Sequence, residues 1–181
     1  NPEHYRLIRS PAAKQWVFQL RHQQQWKQLY ARDATYDALD TLVQEGRIAA
    51  YGVSVETVDE ALTAIARPHV ASIQIILNVF RRKALELVLP EAAAAGVGII
   101  ARVPLASGLL SGRYDLSTTF APDDHRTYNR HGEAFDVGET FSGVPYAVGV
   151  AAAQEVAALT PAGATTAQLA LRWIIDQPGV T

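Results

Sequence analysis

From Tyr36 onward, apolar residues along this chain alternate between two periods. Tyr36, Leu39, Leu42 and Val43 share one face of a helix that Gly46 stops. Ile48 to Val53 then reads as a buried strand. Thr57 is placed to cap a helix whose apolar stripe is Val58, Ala61, Leu62 and Ile65. Ile73 to Leu77 is a second strand, followed by a helix with Leu85, Val88, Leu89 and Ala92 inward and Gly96 as its stop. Val97 to Val103 is a third strand, ended by Pro104. Strand and helix alternating at a repeat of about 25 residues predict right-handed βαβ units in a parallel sheet. The fold class is α/β.

Residues 115–145 break this rhythm. They are polar and turn-rich, with Asp123, Asp124, His125 and Arg126 in a row and glycines at 132, 138 and 143. A loop of this length is more than a connector, and it reads as a lid-like insertion. Pro145 suits a first helical position, with helix over Tyr146 to Leu159. Thr165 or Thr166 caps a last helix that turns Leu169, Ala170, Trp173 and Ile174 inward. A closed (β/α)₈ barrel needs eight strands and about 250 residues. Three strands, plus a candidate at Trp16 to Leu20, predict a partial barrel, roughly its second half. In that reading Ile75, Leu77, Ile99 and Val103 face the barrel interior, and the two strand edges invite self-association.

The first 35 residues differ from the rest. They carry a charge balance of +4 against −6 for the remainder, and six glutamines. The domain division is therefore an atypical basic segment, 1–35, followed by the partial barrel, 36–181. The segment reads as a solvated flank, with a basic arm for an acidic partner as the rival. Across the whole chain 49% of residues are hydrophobic, 19% are charged and the net charge is −2. Such a balance fits a globular protein and points to neither nucleic acid nor membrane as partner. Cysteine is absent, which removes disulfide and thiolate chemistry and suits a cytoplasmic location. Methionine is absent too, and the chain starts at Asn1, so a fragment or processed chain is expected. His125 and His131 lack metal-ligand spacing, and no metal site is predicted.

Candidate chemistry sits at the strand ends. Pro104, Leu105, Ser107, Gly108 and Gly112 make a turn-rich loop after the third strand, the kind that offers bare N–H groups to a phosphate. Two earlier strands end in polar side chains suited to a flat amide-bearing ring, Ser54 in YGVS and Gln74 and Asn78 in QIILN. Four ordered blocks, EGRIAAYGVS, QIILN, RVPLASGLLSGRY and AQLALRW, resemble the aldo-keto reductases over about residues 37–181. The 123–143 loop resembles an actinobacterial-type subgroup.

The resemblance implies hydride transfer between NADP(H) and a small carbonyl or alcohol, with NAD left open. It places Ser54 and Gln74 on the nicotinamide carboxamide; Val55 stands where an asparagine commonly follows the serine. Arg102 falls where many members stack an aromatic ring on the nicotinamide, and a guanidinium plane stacks as well. Leu105, Ser107, Gly108, Leu110 and Gly112 match the loop around the pyrophosphate. The family's proton donor is a tyrosine tuned by a lysine–aspartate pair on early strands, and the chain shows no such set. Tyr36 fits its helix's apolar face and reads as core. His22, ending Trp16 to Leu20 and Arg21, matches a carbonyl-orienting histidine with a register offset of one. The expected function is thus that of a reductase fragment, inactive alone. A non-catalytic half-barrel used as a binding module is the alternative.

Overall fold

The computed structural model describes residues 35–181 in full, and before them the backbone of three strands and the first turn of a helix. The chain falls into two compact units, Asn1–Arg47 and Ile48–Thr181. The helix that opens the repeating pattern in the sequence sits in the first unit. That unit contains β1 (Tyr5–Arg9), β2 (Trp16–His22), β3 (Gln25–Lys27) and α1 (Asp33–Gln44). β2 pairs antiparallel with both β1 and β3. The strand expected at Trp16 to Leu20 is present, but it belongs to an antiparallel meander. Tyr36 is 3% exposed, in keeping with a core position.

The second unit is built on a parallel sheet in the order β4 (Tyr51–Ser54), β5 (Val70–Ile76) and β6 (Gly98–Arg102). α2 (Val58–Ile65) links β4 to β5, and α3 (Val88–Ala95) links β5 to β6. Val180 bridges in parallel to Ile99, so a further strand begins beside β6. β4 starts later than the apolar run at Ile48 because its neighbour begins only at Val70, opposite Tyr51. β6 stops before Val103, whose φ of 51° takes it out of the strand region.

Local chemistry explains the helix ends. Thr57 accepts from Glu60 N–H while the Glu60 side chain accepts from Thr57 N–H, a reciprocal capping box, and Thr165 with Gln168 does the same for α6 (Thr166–Ile175). Gly96 closes α3 in the left-handed region, as its sequence position predicts. The helix expected from Leu85 divides into a 3₁₀ turn (Lys83–Leu85) and α3. Pro90 falls in the first turn of α3, where a missing N–H is tolerated. Pro145 is the cap of α5 (Tyr146–Ala158) rather than its first residue.

The sheet's two faces differ from the expectation. Val53, Ile73 and Ile99 share one register row, with Ile75 and Ala101 on the same side. Ile73, Ile75 and Ile99 are at most 4% exposed, and α2 and α3 pack on β5 and β6. These isoleucines therefore face the helices, and Ile75 and Ile99 do not point into a barrel interior as predicted. The opposite face carries Gly52, Ser72 and Gly98 in one row, then Ser54, Gln74 and Ile100 in the next. Leu77 lies beyond the strand and is fully buried.

A second apolar cluster joins Ala106, Leu109, Leu110, Phe141, Val150, Ala153 and Ala170. It welds the loop after β6 to α5, α6 and the end of the insertion. The insertion holds α4 (His125–Tyr128) and two 3₁₀ turns, Val137–Glu139 and Phe141–Gly143. Asn129 and Thr140 are buried in it and hydrogen-bonded to each other. Its last part is core rather than a loose cover.

Candidate functional site

The carboxyl ends of β4, β5 and β6 bring three of the sequence candidates together. Ser54 and Gln74 are direct register partners on the open face, and the Ser54 hydroxyl donates to Gln74 Oε1 at 3.1 Å. That bond leaves Gln74 Nε2 as a donor and the Ser54 oxygen as an acceptor. A primary carboxamide is complementary to such a pair, since its oxygen accepts and its NH₂ donates. Val55 is buried with its N–H on Gln74 O, which fixes the end of β4 against β5.

Arg102 completes the end of the sheet. Its register partner is Ile76, and its side chain crosses that residue to reach β4's end. Nη2 donates to Glu56 Oε1 at 2.7 Å and to Val55 O at 3.2 Å, while Nη1 meets Glu139 Oε1 at 2.7 Å. Both ion pairs are largely sheltered, with side-chain exposures of 16% for Arg102, 10% for Glu56 and 21% for Glu139. Glu56 Oε2 and Arg102 Nε are buried without a partner. They belong to the pair already joined through Nη2 and Oε1. Two carboxylates on one guanidinium leave the group one negative charge in excess. Burial raises the Glu139 carboxyl above the usual carboxylate range, against the pull of Arg102. Neither Glu56 nor Glu139 carries a sequence signal, because each meets Arg102 only through the fold.

Asn78 has a different duty from the one its QIILN context implies. It is fully buried, and all four of its hydrogen-bonding positions are used. Oδ1 accepts from Phe80 N–H and Arg81 N–H, each at 2.9 Å. Nδ2 donates to Val103 O at 2.9 Å and to Ser142 Oγ at 2.7 Å. It therefore ties the turn after β5, the exit of β6 and the insertion into one knot.

The loop that follows carries Leu105, Ser107, Gly108, Leu110 and Gly112. Ala106 N–H donates to Val103 O, and Gly108 N–H and Leu110 N–H both donate to Leu105 O. Those N–H groups close the loop's own turns, which narrows the expected set of bare donors. The Ser107 hydroxyl donates to Glu139 O at 2.6 Å and accepts from Phe141 N–H at 3.0 Å. Leu110 is buried in the second cluster, leaving only its backbone toward any ligand. Val103, Ala106, Ser107, Phe141 and Ser142 all hold positive φ without being glycine. Such strain persists only where surroundings over-determine it, and here Asn78 and Ser107 supply the bonds.

Gly108 lies in this loop at φ +98°, with Tyr114 ring atoms 2.5–2.8 Å from where a Cβ would stand. The ring cannot swing aside easily, since Arg126 bonds its hydroxyl and lies over it. Gly96, at φ +71°, has open space there. Gly96→Ala should therefore cost only the left-handed penalty, about 1–2 kcal/mol. Gly108→Ala should cost more, about 2–4 kcal/mol, because overpacking adds to it. Thermal melts of the two variants check this, and equal losses would mean that Tyr114 yields without cost.

His22 ends β2, and its side chain lies outside the described residues. Among the described residues no group of three His, Asp or Glu side chains is arranged to hold a metal ion. Nor is any helix among them long and apolar enough to cross a membrane.

Residues 15–181 match the sequence profile of the Aldo/keto reductase family. The chain belongs to that family. It is 31% identical over 147 residues to the aldo-keto reductase YhdN of Bacillus subtilis, covering 81% of this chain and 42% of that protein. Among solved structures it is similar to a glycerol dehydrogenase of Gluconobacter oxydans, at 28% identity and a TM-score of 0.58, covering 82% of this chain and 43% of that one. An aldo-keto reductase of Bacillus halodurans shares the fold, at 23% identity and a TM-score of 0.57, with 82% and 44% covered. The chain thus spans less than half the length of these relatives. The parallel sheet, with a further strand starting at Val180, is the corresponding part of an aldo/keto reductase (β/α)₈ barrel.

Proposed function

We propose that this chain supplies the nicotinamide-holding part of an NADP(H)-dependent aldo-keto reductase, which passes hydride between the cofactor and a small carbonyl or alcohol. The observation that carries the reading is the Ser54–Gln74 pair, bonded at 3.1 Å on the open face at the carboxyl end of the sheet. Ligands of barrel enzymes gather at that end. The pair offers one donor and one acceptor, the complement of a carboxamide, and Arg102 at the same end of the sheet presents a guanidinium held in place by two carboxylates. The loop from Pro104 to Gly112 follows directly from β6 and is rigidified by Asn78 and Ser107, which suits the pyrophosphate side.

In this arrangement the chain's own residues orient and hold. Ser54 and Gln74 fix the rotation of the nicotinamide ring, and with it the face from which hydride leaves. Arg102 supports the ring's flank. The family's tyrosine acid is not among the residues gathered here, so the chain binds cofactor but does not itself protonate the substrate oxygen. NADP rather than NAD rests on the family, and no described residue of the chain distinguishes the two.

Fluorescence titration of the full chain with NADPH tests the reading. Binding is expected, and Ser54→Ala and Gln74→Leu should each weaken it about three- to tenfold, the worth of one neutral hydrogen bond. Binding that is indifferent to both substitutions would place the nicotinamide elsewhere.

A further inference from the structure

We infer that the Glu56–Arg102–Glu139 group sets which redox form of the cofactor the site prefers, drawing it toward the oxidised, positively charged nicotinamide. The inference rests on the cofactor placement proposed above. An arginine alone at the end of β6 would set a positive charge beside the ring, and a pyridinium is repelled by it whereas the neutral dihydropyridine is not. This site does not leave the arginine alone. Glu56 reaches it from the end of β4 at 2.7 Å, and Glu139 reaches it from the insertion at 2.7 Å. Glu56 bonds Nη2 and Glu139 bonds Nη1, so each of the two terminal nitrogens carries its own carboxylate. The sum is one negative charge in a sheltered place, where charges act with less screening than on the surface.

Glu139 is the adjustable member. Its carboxyl faces Arg102 from β6, Glu56 from the end of β4, Asp136 from its own turn and Arg81 from the turn after β5. Arg81 is itself engaged by Asp136 at 3.3 Å. Burial favours the protonated form of Glu139, so protons bring the group to neutrality at a higher pH than for an exposed glutamate. Sign and direction follow. As pH rises through the Glu139 pKa the group gains its excess negative charge, and affinity for NADP⁺ rises relative to NADPH.

The experiment measures Kd for both NADP⁺ and NADPH with the full chain, by fluorescence quenching and calorimetry, from pH 5 to 8. The wild-type ratio of Kd for NADP⁺ to Kd for NADPH should fall as pH rises. Glu139→Gln should flatten that dependence and raise the ratio at pH 8 by about three- to tenfold, a sheltered unit charge acting through a few ångströms of protein. Glu56→Gln should raise it in the same direction while leaving the pH dependence in place. Both substitutions keep the side-chain shape and an oxygen to accept from Arg102, and melting curves confirm folding. Two-form binding with a ratio that neither variant nor pH moves would overturn the inference alone. Failure of the folded chain to bind either form would overturn it together with the cofactor placement.

Discussion

Replacing Asn78 with leucine should lower the melting temperature of the chain by about 6–20 °C. Leucine keeps the branching at Cγ but is bulkier, so some overpacking adds to the loss of the hydrogen bonds. It strands Phe80 N–H and Ser142 Oγ, while Arg81 N–H keeps the Asn78 backbone O and Val103 O keeps Ala106 N–H. An unsatisfied buried polar group costs about 1–3 kcal/mol. Two such groups, with two more bonds lost from groups that keep another partner, give an expected total of about 3–5 kcal/mol. At this chain length each kcal/mol corresponds to about 2–4 °C. Asn78→Asp should do little better: it keeps the two acceptor bonds but turns a donor toward Val103 O into a second acceptor. Differential scanning calorimetry decides the matter. A loss below about 3 °C for Asn78→Leu would mean that the knot at the sheet's end is held by packing instead.

The second large effect concerns turnover. With NADPH and a reactive aldehyde such as 4-nitrobenzaldehyde, the chain alone should run at least about 10²–10⁴-fold below a reductase with a working acid, the usual share of general acid–base catalysis. Lys83 is the sole lysine among the described residues, exposed in the turn after β5 and bonded to no tyrosine. Tyr114 is committed to Arg126, and Tyr146 donates to Asp115 O at 2.8 Å. Tyr36 is buried in its own unit. The hydroxyls of Tyr114 and Tyr146 are thus engaged with partners other than Ser54 and Gln74. Steady-state oxidation of NADPH gives the answer; a normal rate that Tyr36→Phe abolishes would show that this tyrosine is the acid and not core.

What could be read from the sequence was what depends on neighbours in the chain. Thr57 and Thr165 announce their helices because a cap needs only the residue three further on. Gly96 announces a stop because its conformation is local. The strand order followed from the repeat, since βαβ units leave few choices. The facing of the sheet did not. In Ile73-Gln74-Ile75-Ile76 both faces look apolar, and alternation alone gives no direction. Direction comes from the small residues Gly52, Ser72 and Gly98, which fall in one row only once the strands are in register. The Arg102 clamp was hidden for a similar reason, because its two carboxylates come from separate loops. Val103 went against its local signals outright. A β-branched residue before proline favours extended backbone, and its left-handed turn makes sense only with Asn78 on its carbonyl.

The strained rungs at Ser107 and at Phe141–Ser142 have a consequence for how such a protein can diverge. Ser107 bonds across to Glu139 and Phe141, and Asn78 bonds across to Ser142, so the last part of the insertion is stitched to the loop after β6 and the turn after β5. The arc before it, around 115–128, makes no comparable stitch to the sheet's end. That outer arc can therefore change in sequence without touching those bonds, as one changes the sleeve of a tool and keeps the handle. Rewriting residues 136–142 instead would break the bonds to Ser107 and Asn78 that fix the loop after β6.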